Sequence, residues 1–217
     1  MKAYLFDLPF TEQFKNLHII DFPGRVFNYI SPNSHVLAQV LESATKKPLD
    51  VYADEALFSQ MGHEYNVEWV VDKNEQALGF CGLSMSARDY LRFGMLALHH
   101  GQKKEIHDTV KQIGSTEWWQ SATQPFSGGE PGSFKKTKLG YGLHWWIGPK
   151  NAAGEMEEDY AAIGLWGQFI YVDPKTNTVI VKTSVDNQFN KDTSFTALRV
   201  LKNSVVASFN TEDGQVF

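Results

Sequence analysis

The feature that most restricts this fold lies between Tyr160 and Thr183. Three apolar segments, Tyr160–Ile163, Gln168–Val172 and Thr178–Thr183, follow one another across short turns such as Asp173-Pro174-Lys175-Thr176-Asn177. A crossover to a parallel neighbour needs a dozen residues or more, so these segments read as antiparallel strands joined by hairpins. Tyr141–Ile147 reads as a further strand ahead of them. A final helix, about Asp192 to Phe209, sets Phe195, Leu198, Leu201, Val205 and Val206 on one side. Such a stripe is what a helix needs to cover one face of a sheet.

Upstream the texture is helical. A short helix is expected around Thr11 to Leu17, before the Asp21-Phe22-Pro23-Gly24 turn. Pro32 suits a first helical turn, and Val36, Leu37, Val40, Leu41 and Ala44 then form an apolar stripe. Lys46-Lys47-Pro48 stops that helix, and Leu49 to Ser59 reads as another. Glu68 to Gly82 reads as two short strands about the polar Asp72–Glu75 turn. Ser86 with Asp89 is a capping-box variant opening an almost wholly buried helix that ends at Gly101. Short helices are expected over residues 105 to 122, then a glycine- and lysine-rich loop from Gly128 to Gly142. The expectation is an α+β fold, layered α/β/α. A mainly helical region with one hairpin covers residues 1–138, and an antiparallel sheet with a C-terminal helix covers 139–217.

Charge and cysteine content remove several functions. The formal net charge is -5, and the one basic cluster, Lys135 to Lys138, reads as a solvated loop, so nothing calls for nucleic acid. Cys81 is the single cysteine, which excludes an intrachain disulfide and a cysteine-rich zinc site, and it reads as a buried thiol. His99, His100 and His107 lack a carboxylate arrangement for a metal, and no phosphate-binding glycine loop is present, so no cofactor is expected. The first ten residues hold too few consecutive apolar residues for a signal-peptide core. If Met1 is the native start, the expected location is cytoplasmic. No segment approaches the length of a membrane span.

Several stretches, in this order, resemble the serine β-lactamase-related family: PGRVFNYIS at 23–31, HVLAQVLESATKKPL, FCGLSMSARDYLRFGMLAL at 80–98, LGYGLHWW at 139–146, and AIGLWGQFIYVDPKTNTVIVKTS at 162–184. That family holds penicillin-binding proteins, class C β-lactamases, esterases and amide hydrolases acting on short nylon oligomers, and the last group is the most similar. The resemblance implies acyl transfer through a serine whose neighbour, one helical turn on, is a lysine. It places Tyr29 at the family's proton-shuttling tyrosine, a role that a nearby ammonium would favour by lowering its pKa. Ser31 falls where the family usually has Asn. It is a candidate substrate contact, or alternatively an N-cap before Pro32. The third motif falls on Leu165-Trp166-Gly167-Gln168. With no lysine there, Trp166 implies an aromatic substrate wall, Gly167 a close backbone approach, and the Gln168 amide an oxyanion donor. Read without the resemblance, these residues make a tight glycine turn between two strands.

The nucleophile is the missing part. In the family the Ser-x-x-Lys motif lies far upstream of the tyrosine, and 28 residues precede Tyr29. Ser43-Ala44-Thr45-Lys46 falls at the end of a helix instead of its start, and Ser133-Phe134-Lys135-Lys136 falls in a polar loop. Lys136-Thr137-Lys138 imitates the third motif but lacks its glycine. The expectation is therefore the C-terminal part of a serine hydrolase, not catalytic alone, with a small amide or ester as the family's substrate class. The alternatives are a hydrolase completed by a missing segment or partner chain, and a non-catalytic binding module. Thr178 to Thr183 would then form an apolar sheet edge, open to self-association or to a complementing N-terminal segment.

Overall fold

The structure is a computed structural model, and it describes residues 9, 10, 12, 17–19, 21–126, 137–151, 153, 154 and 157–211. The expected helix at Thr11 to Leu17, most of the glycine- and lysine-rich loop and Ser133 to Lys136 lie largely or wholly outside them. The chain divides into two compact units, Met1–Asp89 with Gly128–Lys136, and Tyr90–Ser127 with Thr137–Phe217.

The first unit begins with α1, Ser31–Thr45, which carries Pro32 in its first turn and ends on Lys46 in a left-handed conformation. Its buried residues are His35 and Ala38, whereas Val36, Leu37 and Val40 are exposed. Of the apolar stripe read from the sequence, Leu41 packs against Ala38, Leu49 and Ala77, but Val36, Leu37 and Val40 lie off the packed face. The packed face is set by close approach: a Cβ on Gly79 would lie 2.6 Å from the Ala38 Cβ and 2.9 Å from the Ser34 carbonyl oxygen. Only small or flat side chains fit there. His35 is one of them, wholly buried between Phe10 and Phe80, with its Nδ1 accepting from the Gly79 amide at 3.3 Å. That bond leaves the proton on Nε2, and burial lowers the imidazole's pKa against the opposing pull of Glu42 and Asp72.

The second helix, α2, comprises Leu49–Ala53, a π-helical stretch Asp54–Phe58, and Ser59–Met61. It buries Leu49, Phe58 and Met61. The following strands, β1 (Glu68–Trp69) and β2 (Leu83–Ser84), pair antiparallel, with a Val71–Ala77 bridge closer to the turn. Asp72 holds that turn, its carboxylate accepting from the amides of Asn74 and Gln76 and from that of Phe10. Cys81, expected to be buried, is exposed.

Helix α3, Ala87–Leu98, starts as its capping signal requires. Ser86 Oγ accepts from the Asp89 amide at 3.1 Å and donates to its carboxylate at 2.8 Å. Leu91 and Met95 are exposed, so the helix is less covered than its composition suggests. Gly101 ends it at φ +84°, donating to the Leu96 carbonyl.

In the second unit, the short helices expected over residues 105–122 are present at Ile106–Asp108, a 3-10 turn, and at α4 (Thr116–Ala122), but Val110–Gln112 between them is a strand, β4, paired with β3 (Gln102–Lys104). The Gln112 side-chain amide donates to the carbonyls of His100 and Gly114, and the Trp119 indole to that of Ile113. These bonds tie the hairpin's base between the two helices.

The main sheet has the strand order β5-β6-β7-β8-β9, antiparallel throughout. The strands are β5 (Gly140–Tyr141), β6 (Trp146–Ile147), β7 (Tyr160–Gly164), β8 (Gln168–Asp173) and β9 (Thr178–Lys182). Tyr141–Ile147 is therefore a tight hairpin and not one strand. α5, Lys191–Thr211, covers one face. Phe195 meets the Tyr171 ring edge-on at 5.4 Å, and Arg199 clasps Asp159 with Nε at 2.8 Å and Nη2 at 2.6 Å. Lys202 pairs with Asp173 at 2.5 Å. The expected stripe is half right: Phe195 and Leu198 are buried with Lys202, while Leu201 and Val205 face away. Buried ion pairs replace apolar contacts at those turns. α3 lies on the other face, where a Cβ on Gly94 would strike Val179 and Ile170. The layered α/β/α, α+β architecture follows.

Candidate active site

Tyr29 and Ser31 belong to the first unit, and Trp166, Gly167 and Gln168 to the second, so each unit carries its own group of candidate residues.

In the first, Tyr29 lies in the irregular segment leading into α1. Its side chain is 51% exposed, and the partial cover pushes the phenol's pKa up from its ordinary value. This is opposite in sign to the shift that a proton-shuttling role favours. Ser31 is the first helical residue, exposed, and the N-cap position is held by Ile30 without any side-chain cap bond. The capping role for Ser31 is therefore wrong. Its hydroxyl stands at the solvent-exposed start of a helix, where backbone N–H groups favour acceptors. Ser43 and Lys46 sit in the last turn and C-cap of the same helix. There the helix presents carbonyls, so a developing oxyanion would be repelled.

The group in the second unit is the tip of the β7–β8 hairpin. Gly164 opposes Gln168, and Leu165, Trp166 and Gly167 make the turn. Trp166 has φ +63° and Gly167 φ +80°, and the indole is exposed instead of covering the core. A β-carbon at position 167 would lie 3.1 Å from the Lys182 Nζ and 3.2 Å from the Phe189 Cβ. Only glycine meets both the backbone angle and the space.

Three residues that sequence reasoning passed over hold this turn. Lys182 Nζ donates to the Gly167 carbonyl at 2.9 Å, the Asp186 amide donates to the Trp166 carbonyl at 3.0 Å, and Phe189 closes over Gly167. The consequence is directional. In a trans peptide the carbonyl and the next N–H point to opposite sides. Pinning the Gly167 carbonyl to Lys182 therefore turns the Gln168 N–H away from that ammonium. The lone signal in the sequence was Lys182's alternation in TVIVK, which puts it on the same face as Phe169.

Elsewhere, Thr137 and Lys138 are tied to the Asp192 carboxylate, at 2.5 Å through the Thr137 hydroxyl and 3.1 Å through the Lys138 amide. Lys136-Thr137-Lys138 is thus a tether to the start of α5 and not a substrate motif. Among the described residues no group of three His, Cys, Asp or Glu side chains is arranged to hold a metal, and no helix is long and apolar enough to cross a membrane.

Residues 3–203 match the protein-family model described as Beta-lactamase. A curated relative, the 6-aminohexanoate-dimer hydrolase of Paenarthrobacter ureafaciens, is 26% identical over 166 residues, which is 73% of this chain and 39% of that protein. Among solved structures, a Bacillus anthracis protein assigned as a 6-aminohexanoate-dimer hydrolase superposes with a TM-score of 0.70 at 27% identity, over 88% of this chain and 46% of that one. A Bacteroides dorei protein assigned as a beta-lactamase gives a TM-score of 0.64 at 19% identity, over 91% and 62%, and shows the shared fold alone. The chain spans less than half the length of the two hydrolases it matches.

Proposed function

Because this chain belongs to the beta-lactamase family, we propose that Tyr29 and the Trp166–Gln168 turn each carry one part of the family's acyl-transfer chemistry, whose serine and lysine are not among these 217 residues. In this reading Tyr29 carries a proton between nucleophile and leaving group, and the Gln168 N–H accepts the charge that develops on the carbonyl oxygen. Trp166 offers a flat apolar wall, and Ser31 a hydroxyl for the substrate's polar part. The substrate class is a small linear amide or ester, and the hydrolases of the 6-aminohexanoate dimer are the relatives that favour an amide.

The observation that carries the reading is the pinned Gly167 carbonyl, which aims the next N–H at a fixed direction before any substrate arrives. Preorganised donors of this kind are what an oxyanion site requires. The raised phenol pKa supports the second half of the proposal, that the chain is not self-sufficient. A phenol whose pKa burial has raised holds its proton at neutral pH and is a poor base. In this reading a completing segment or partner chain supplies the nucleophile and an ammonium that lowers the phenol's pKa.

A fluorophosphonate probe followed by mass mapping of the intact chain tests this. No serine is expected to be acylated, and amide substrate is expected to remain uncleaved. Stoichiometric labelling of Ser43, or of any other single serine with turnover, would overturn it.

A further inference from the structure

β5 and β6 are joined by a tight turn. The Gly142 amide donates to the Trp145 carbonyl at 2.8 Å, and Leu143 and His144 make the corner. His144 stands at φ +67°, and Leu143 before it does not share the positive angle. A turn with a positive φ at its second corner residue alone calls for glycine or asparagine there. At the other end of the sheet, the β8–β9 connection meets a like demand with Asn177 at φ +52°. Histidine bears a β-carbon against the following carbonyl and is the costlier occupant. Packing does not explain it, because the side chain is exposed.

The strand register says where this ring stands. Trp146 pairs with Ala161 and Ile147 with Tyr160, so continuing the ladder sets residue 144 beside Ile163. The next residue of β7, Gly164, opens the Leu165-Trp166-Gly167 turn. The two turns are therefore neighbours at one end of one sheet, and both lie within the second unit. With strands about 4.8 Å apart and about 3.4 Å per residue, the backbones of His144 and Trp166 lie about 12 Å apart. That separation leaves room for a small molecule between two side chains of this size. Each turn holds an exposed ring on a residue in the left-handed region, Trp166 at φ +63° and His144 at φ +67°. Backbone outliers of this kind gather at ligand sites, where the strain serves recognition.

We propose that His144 sets the substrate preference of the Trp166–Gln168 turn: its imidazole accepts the N–H of a small linear amide whose methylene chain lies along the Trp166 indole. An ester carries oxygen in place of that N–H, so the contact favours amides over esters. The surrounding chain lowers the imidazole's pKa by desolvation, which keeps the ring neutral at neutral pH and leaves it the acceptor nitrogen the contact needs. The inference rests on the acyl-transfer reading and narrows its substrate class.

The test adds N-acetyl-6-aminohexanoate, or the ester 6-acetoxyhexanoate that differs from it only by oxygen for N–H, to the isotope-labelled full chain. The Trp166 indole and Gln168 amide resonances report binding. Both should move with the amide, and the ester should bind about fivefold more weakly. His144→Gly and His144→Asn both suit the backbone angle, so neither should lower the urea midpoint. The glycine variant offers no acceptor and should lose about fivefold in amide affinity, with ester affinity unchanged. The asparagine variant keeps a side-chain carbonyl and should recover part of that loss. Amide affinity unchanged in the glycine variant overturns the role of His144 and leaves the acyl-transfer reading standing. An equal loss of amide and ester affinity in that variant overturns it likewise. If neither probe moves the two resonances in the unaltered chain, the acyl-transfer reading itself falls, and this inference falls with it.

Discussion

Replacing Gly167 by alanine separates two costs that usually come together. The first is backbone: at φ +80° a residue with a β-carbon pays about 1–2 kcal/mol. The second is space, because the new atom would meet Lys182 Nζ at 3.1 Å and Phe189 Cβ at 3.2 Å. Overpacking costs roughly 1–3 kcal/mol in a tight core, and the flexible end of Lys182 should bring the present case to about 1 kcal/mol. Gly154 is the internal control, with φ +84° and nothing within 4 Å of the point where a β-carbon would stand. Gly154→Ala should therefore lose about 1–2 kcal/mol and Gly167→Ala about 2–3 kcal/mol. With a urea dependence of about 2 kcal/mol per molar, the midpoints fall by roughly 0.5–1 M and 1–1.5 M. Adding Lys182→Ala to Gly167→Ala should recover part of the difference, a coupling of about 0.5–1 kcal/mol. Equal midpoints for the two alanine variants, or strictly additive effects of Gly167→Ala and Lys182→Ala, would refute the claim that Lys182 and Phe189 fix this turn.

Three further outcomes follow from the same geometry. Asp159→Ala strands the Arg199 guanidinium and the Tyr171 hydroxyl, which donates to Asp159 at 2.7 Å, and should cost about 3–5 kcal/mol in urea unfolding; a loss under about 1 kcal/mol would contradict it. Burial works to raise the Asp173 carboxyl, but Lys202 and Thr176 outweigh it and hold the pKa below its ordinary value. The stability from that depression is fully present above the unfolded carboxylate's pKa of about 3.9 and fades as pH falls through the lower folded value. Lys202→Met should flatten that acid limb, which stability measured against pH would reveal. Tyr29, with its raised pKa, should stay protonated until above about pH 10 in ultraviolet titration compared with Tyr29→Phe, and a difference signal below that would contradict the assignment.

How far the fold could be read from the chain depended on what held each element. β7, β8, β9 and the first turns of α5 were legible because hydrophobic alternation and the Asp173–Asn177 turn specify them locally. The packed face of α1 was not, because it is chosen by a glycine far along the chain. Gly79 admits Ala38 and His35, and the larger Val36, Leu37 and Val40 are left outside. A periodicity argument rewards the bulkiest residues and so selects a face that meets the packed one at Leu41 and misses it at Val36, Leu37 and Val40. The same bias misread α5, where Lys202 takes a buried position because Asp173 waits beneath it. Val110–Gln112, within a stretch expected to be helical, is instead one strand of a hairpin tied at its base by the side chains of Gln112 and Trp119.

The site shows the same division at closer range. Trp166, Gly167 and Gln168 could be picked out as a motif, yet what the turn can do is decided by residues on β9 and in the loop after it. Lys182 is the clearest case. Along the sequence it is an ordinary strand-end lysine, to be expected in solvent at a sheet margin. In the structure its ammonium takes the Gly167 carbonyl, and that bond sets the direction of the Gln168 N–H. Lys182→Ala and Lys182→Glu both release the carbonyl, so both should loosen the turn, and hydrogen exchange at the Gln168 amide should speed up in each. Exchange as slow as in the unaltered chain in both variants would refute the part given to the ammonium, because nothing else then separates a held turn from a free one.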